Sequence, residues 1–143
     1  MSSTKDRVRA GKRGDVDAVR VLIADKNAHF RETVRRVVER YSNCVVVAEA
    51  SGLTEAVAYA AQVRPDMVLL DVGLVARDGL SDLKRLPQLL PAAQVVILLS
   101  DYSPDYRAAV RSQGGYLCAA KDRIEEELAW IIGGVRGRRR SLA

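Results

Sequence analysis

Five apolar runs of strand length, each followed by a helical periodicity, constrain this chain of 143 residues more than any other feature. The runs are VRVLIA (19–24), CVVVAEA (44–50), MVLLD (67–71), VVILLS (95–100) and the weaker YLCAA (116–120). They are continuous rather than alternating, as strands covered on both faces should be. Residues 28–41 place Phe30, Val34, Val37, Val38 and Tyr41 on one helical stripe, with Arg and Glu opposite. Residues 53–63, 79–90, 104–113 and 124–135 complete the set of helices. Thr54, ahead of an acid and an apolar run, marks the start of the second. Asp66 opens the third strand just after Pro65, since proline disfavours a helix continuing before it. Five βα units with short connections predict an α/β fold, a doubly wound five-stranded parallel sheet with helices on both faces. Trp130 is expected to be buried beneath its helix.

An apolar fraction of 48% is ordinary for a globular domain, and the length suits one domain with a full core. No apolar run approaches the roughly 20 residues of a membrane span. The N-terminus is charged and lacks the apolar stretch of a signal peptide, so a cytoplasmic protein is expected. Cys44 and Cys118 match no metal spacing and read as small buried hydrophobes. The net charge of +5 divides unevenly: residues 1–18 carry +2, residues 136–143 carry +4, and the stretch between carries −1. The domain is therefore placed at 19–135, between a basic, disordered N-terminal tail (1–18) and a basic C-terminal tail or linker stub (136–143). The RGRRR cluster could touch nucleic acid or an acidic partner electrostatically, and a solvated tail is the plainer reading.

In such a sheet a ligand crevice lies outside the carboxyl ends of the strands. Those ends carry Asp25 after the first strand, Asp71 after the third, Ser100 after the fourth and Lys121 after the fifth. Carboxylates for a hard cation, with lysine and hydroxyl donors for phosphate oxygens, are the equipment of phosphoryl chemistry.

The segments VLIADKNAHFRETVRRVVE, RPDMVLLDVGLVARDGL, VVILLSDYSPDY and QGGYLCAAKD together resemble the response-regulator receiver domain of two-component signalling, in particular receivers that precede a helix-turn-helix domain. The resemblance spans about residues 19–135. It implies a flavodoxin-like (βα)5 fold with strand order 2-1-3-4-5. It makes Asp71 the phospho-acceptor, Ser100 the Ser/Thr switch and Lys121 the lysine that contacts the phosphoryl group. It implies Mg2+ bound by Asp25, Asp71 and the carbonyl of Gly73, and a histidine kinase or other signalling protein as partner. It also implies a homodimer through the fourth and fifth helices, with Tyr102, Tyr106, Arg107 and Arg111 on that face.

Departures from the family pattern matter as much. The family has two adjacent acids after the first strand, whereas this chain has Asp25 and then Lys26. The swap removes an anionic ligand and adds a cation, so Mg2+ is expected to bind weakly or not at all. Lys26 could pair with Asp71 or Asp25 in place of the metal. Alternatively it points into water and a weak site survives on Asp25, Asp71 and Gly73. Val75 stands where the family has proline. Cys118 stands where it has the switch aromatic, and Tyr116 lies two residues earlier on the same side of the strand. Asp122 follows Lys121, a variant the helix-turn-helix group tolerates.

Lys26, Ser100, Tyr116 and Cys118 are thus the candidate regulatory positions. The expectation is an atypical, non-enzymatic receiver whose output is protein interaction. The alternatives are a conventional phospho-acceptor and the N-terminal fragment of a DNA-binding regulator. His29, the only histidine, reads as a surface residue, which leaves serine or cysteine hydrolysis without a base. Gly114-Gly115 fits a turn and belongs to no GxGxxG loop. The eight residues after 135 are too few for a helix-turn-helix, so direct DNA binding by this chain is not expected.

Overall fold

The computed structural model describes residues 18–75, 80–114 and 116–142, with the backbone alone at 80, 81 and 135–142. The N-terminal tail expected at 1–18 lies, but for Ala18, outside the described residues. Strands β1 (Val19–Ala24), β2 (Cys44–Ala50), β3 (Met67–Asp71), β4 (Gln94–Leu99) and β5 (Leu117–Ala120) form one sheet in the order β2-β1-β3-β4-β5. Every pairing is parallel. The doubly wound topology follows from the sequence pattern, and three of the five strands begin and end where their apolar runs do.

Alternate residues of each strand serve two cores. On one face Val21 and Ile23 pack with Val34, Val37 and Val38 of α1 (Ala28–Glu39) and with Leu128, Ile131 and Ile132 of α5 (Ile124–Leu142). On the other, Leu22 and Ala24 pack with Ala56 and Tyr59 of α2 (Leu53–Val63), with Leu83 and Leu86, and with Val110 of α4 (Pro104–Ser112). Both faces of the sheet are dry, which is why the strand sequences run continuously apolar.

Four sequence expectations need correction. The third helix, expected over 79–90, is a 3-10 segment (Leu80–Arg85) followed by a four-residue helix, α3 (Leu86–Leu89). Pro87 lacks an amide hydrogen and restricts Leu86, and Pro91 follows two residues after the helix ends. Helix α2 is capped by the backbone of Gly52 rather than by Thr54, while the Glu55 carboxylate accepts from the Ser51 amide at 2.8 Å. Helix α5 runs to Leu142, beyond 135 and through the stretch read as a tail, despite glycines at 133, 134 and 137 that each cost a helix about 1 kcal/mol. Trp130 is not buried: it is 76% exposed.

Helix α2 ends on Arg64, which adopts a left-handed φ of 49° ahead of Pro65. Between α2 and the shortened α3 lies an apolar cleft of about 400 Å³, lined by Val57, Ala60, Leu89 and Leu90 among others. It lies at the end of the sheet where the strands begin, away from the carboxylates.

Tyr116 ties the 3-10 segment to the sheet. Its hydroxyl donates to the Leu83 carbonyl at 2.6 Å, and its ring lies against Gly114, where a Cβ would stand 2.7 Å from Cε2. The ring cannot swing aside without breaking the Leu83 bond. Gly114→Ala is therefore expected to cost about 1–3 kcal/mol in urea unfolding, and much less in a Tyr116→Ala background. Equal costs in the two backgrounds would show that the tyrosine ring does not set the requirement for glycine.

Candidate functional site

Parallel pairing brings the strand ends into register. Ala24 lies beside Leu70, Asp71 beside Leu98, and Leu99 beside Ala120, so Asp25 and Lys121 each follow directly on a paired strand end. Lys121 extends across the end of β4 and places its Nζ 2.6 Å from Asp25 Oδ2 and 2.9 Å from Asp71 Oδ1. The Phe30 ring of α1 lies 4.6 Å from that nitrogen, centroid to Nζ, and contributes a cation–π contact.

Asp25 is 2% exposed, and its surroundings explain how a carboxylate is kept there. Its Oδ1 accepts from the Asn27 amide at 2.8 Å, while its Oδ2 accepts from Lys121. Asn27 caps α1 by accepting from the Phe30 amide at 3.1 Å, so one residue fixes both the helix start and the acid. Burial alone would lower the pKa of the Lys121 ammonium. Hydrogen bonds to Asp25 and Asp71, together with their charges, outweigh it and hold the pKa above the ordinary lysine value.

Arg31, expected on the solvent side of α1, is buried. Its Nη1 donates to the Asp25 carbonyl at 2.6 Å. Its Nε lies 3.5 Å from Glu49 Oε1, an ion pair without good hydrogen-bond geometry, and Arg35 approaches the other oxygen of Glu49 at 3.3 Å. The signal for this network was Glu49, a lone acid in the apolar run of β2.

Lys26 is exposed, one residue from Asp25, and the ammonium between the carboxylates is that of Lys121. Ser100 is exposed just past β4, between the strands that lead to Asp71 and Lys121. Gly73 lies in the turn after β3, where a Cβ would stand 2.9 Å from Asp71 Oδ2. Val75 is buried, while His29 and Asp122 are exposed. Cys118 is buried, and burial pushes its thiol pKa up. Tyr116 shares its face of β5, bound to Leu83. Nearby, the Tyr102 hydroxyl donates to the Cys118 carbonyl at 3.4 Å, and Arg107 lies over the Tyr102 ring. Tyr106 is half-buried and Arg111 exposed. Among the described residues no group of three or more His, Cys, Asp or Glu side chains is placed to hold a metal ion, and no helix is long and apolar enough to cross a membrane.

The family model of the response regulator receiver domain matches residues 21–132. The chain belongs to that family.

It is 34% identical over 122 residues to the nitrate/nitrite response regulator protein homolog of Haemophilus influenzae, covering 82% of this chain and 59% of that protein. It is 30% identical over 112 residues to the transcriptional regulatory protein YxjL of Bacillus subtilis, covering 78% of this chain and 51% of that one. The receiver thus spans little more than half the length of these relatives. A LuxR-family two-component response regulator from Aurantimonas superposes with a TM-score of 0.71 at 25% identity, covering 85% of this chain and 87% of that one. The signal receiver domain of NarL from Mycobacterium tuberculosis has the same fold, with a TM-score of 0.71 at 23% identity over 84% of this chain and 97% of that one.

Removing the shared cation leaves two carboxylates facing each other. Lys121→Met is therefore expected to destabilise this receiver by about 2–4 kcal/mol at neutral pH. Adding Asp25→Asn should recover part of that loss in urea unfolding. A Lys121→Met variant as stable as the parent would mean that the ammonium holds nothing together.

Proposed function

We propose that this chain is an atypical receiver in two-component signal transduction, in which Mg2+-dependent phosphorylation of Asp71 is impaired or absent and the output is protein interaction. The observation that carries this reading is Lys26, a cation added to the family's own lysine, the Lys121 ammonium shared by Asp25 and Asp71. That ammonium occupies one oxygen of each carboxylate, and the Asn27 amide occupies the second oxygen of Asp25. At the position where the family pattern has a second acid stands Lys26, another cation. Asp25, Asp71, Lys121 and Lys26 sum to no net charge, two units more positive than with an acid in place of Lys26. Mg2+ asks for near-octahedral oxygen donors and dehydrates reluctantly. The donor set therefore does not fit that ion.

Other features favour the same reading. In the family pattern an aromatic at the Cys118 position answers the hydroxyl at Ser100. Here Cys118 is small and buried, and Tyr116 is engaged with Leu83. The usual link from Asp71 to a surface change lacks its aromatic. We assign the partner to the signalling proteins that receivers contact, a histidine kinase among them, and the surface to α4 and β5. There the Tyr102–Arg107 stack presents an aromatic and a guanidinium together.

Intact mass after incubation with a small-molecule phosphodonor tests the proposal, with and without Mg2+ and with Asp71→Asn as control. The expected result is no Mg2+-dependent adduct. An adduct that needs both Mg2+ and Asp71 would make this a conventional phospho-acceptor. Lys26→Asp, which restores the acid, is expected to raise Mg2+ affinity by at least about tenfold, equivalent to about 1.4 kcal/mol. Unchanged affinity would clear Lys26 of any part in the loss.

A further inference from the structure

The cleft between α2 and α3 exists because the segment that would close it is short. Helix α2 is apolar on more than one side. Ala56 and Tyr59 pack against the sheet, while Val57, Ala60 and Ala61 turn toward Leu89, Leu90 and Ala93. A longer third helix would cover that second side, but Pro87 and Pro91 hold α3 to a single turn, Leu86–Leu89. What remains is an apolar hollow of about 400 Å³. Its size falls within the range of small-molecule sites, about 300–1,000 Å³.

Among the described residues a single charged side chain lines this hollow, that of Arg64. It is exposed and pairs with no described acid. Its backbone is left-handed, with a φ of 49°, at a helix end where glycine or asparagine is the usual residue. Arginine there runs against its own backbone preference. Capping does not explain it, because another cation already serves the end of α2: Arg20 donates through Nη2 to the Val63 carbonyl at 2.7 Å. An apolar hollow edged by one unpaired guanidinium is complementary to a molecule that is apolar along its body and anionic at one end. A carboxylate can take two parallel hydrogen bonds from the planar guanidinium. We propose that the α2–α3 cleft binds a small amphipathic acid, its hydrocarbon body between Val57, Ala60 and Leu89 and its carboxylate on Arg64.

The cleft lies at the opposite end of the sheet from Asp71 and does not depend on the state of that residue, so this site stands apart from the function proposed above. A plainer role for Arg64 is to lay its aliphatic stem over apolar surface while its head stays in water. In that role it would give no preference for an acid over a neutral ligand of equal length, and this difference separates the two.

Titration of the full chain with octanoate, followed by amide NMR, tests the proposal, with 1-octanol as the uncharged counterpart. The expected result is saturable shifts clustered at Val57, Ala60, Leu89 and Ala93, with octanoate bound about tenfold more tightly than octanol. Arg64→Gln should erase that preference and leave octanol binding unchanged. Ala60→Leu, which fills the hollow, should weaken both ligands. Arg64→Gly, which suits the left-handed backbone better, should lose the preference and still unfold at a Tm no lower than the parent's. Equal affinity for the two ligands, a preference that survives Arg64→Gln, or the absence of saturable shifts at the cleft would overturn the proposal. So would shifts that centre on Lys121 instead, or a lower Tm in Arg64→Gly, which would mean that the arginine serves the fold.

Discussion

The Lys121 ammonium fastens three strand ends together: it leaves β5, crosses the end of β4 and is shared by the acids that follow β1 and close β3. Each partner alone would be costly there. Asp25 is buried, and Lys121 has lost much of its water, so the pairing must offset two desolvation penalties before it stabilises anything. Neighbouring groups support Asp25 and the ammonium. The Asn27 amide takes the other oxygen of Asp25, Arg31 takes its carbonyl, and the Phe30 ring covers the ammonium. The chain's own ammonium thereby bridges the two acids.

Around this centre the supporting residues come from elements that otherwise only build the core. Helix α1 contributes a hydrophobic stripe to one core, and from its first turn it sends Phe30 and Arg31 to the site. Strand β2 contributes Glu49, which holds Arg31 and Arg35. On the far side of the sheet Tyr116 bridges β5 to the segment before α3. Packing and site geometry are therefore coupled, and a change at Glu49 should reach Asp25 through Arg31 without touching it.

The sheet was legible in the sequence because strands buried on both faces leave an unambiguous mark, and β1, β2 and β3 begin and end where their apolar runs do. The convergence of Asp25, Asp71 and Lys121 was legible for the same reason, since strand ends in a parallel sheet point to one rim. Helical periodicity misled over 79–90, because apolar spacing does not register that Pro87 removes a backbone donor. It misled again at Trp130, where size and hydrophobicity suggested burial but the helix phase set by Leu128 and Ile132 turns the indole outward. The helical stripe puts Arg31 on the solvent side because its partners, Glu49 and the Asp25 carbonyl, are distant in sequence or invisible as a side-chain pattern. Which of two lysines would reach the carboxylates depended on reach across β4, which spacing along the chain does not give.

Under the proposed function, the chain's own ammonium occupies the acidic centre in place of a divalent ion. Side-chain nitrogen NMR of the lysine ammonium groups, followed through an Mg2+ titration of the unaltered protein, addresses it most directly. The expected result is a slowly exchanging Lys121 resonance, absent in Lys121→Met, that stays in place as Mg2+ is raised to tens of millimolar. A Lys121 resonance that shifts and saturates at low Mg2+, or that exchanges with water as fast as an exposed lysine, would contradict it.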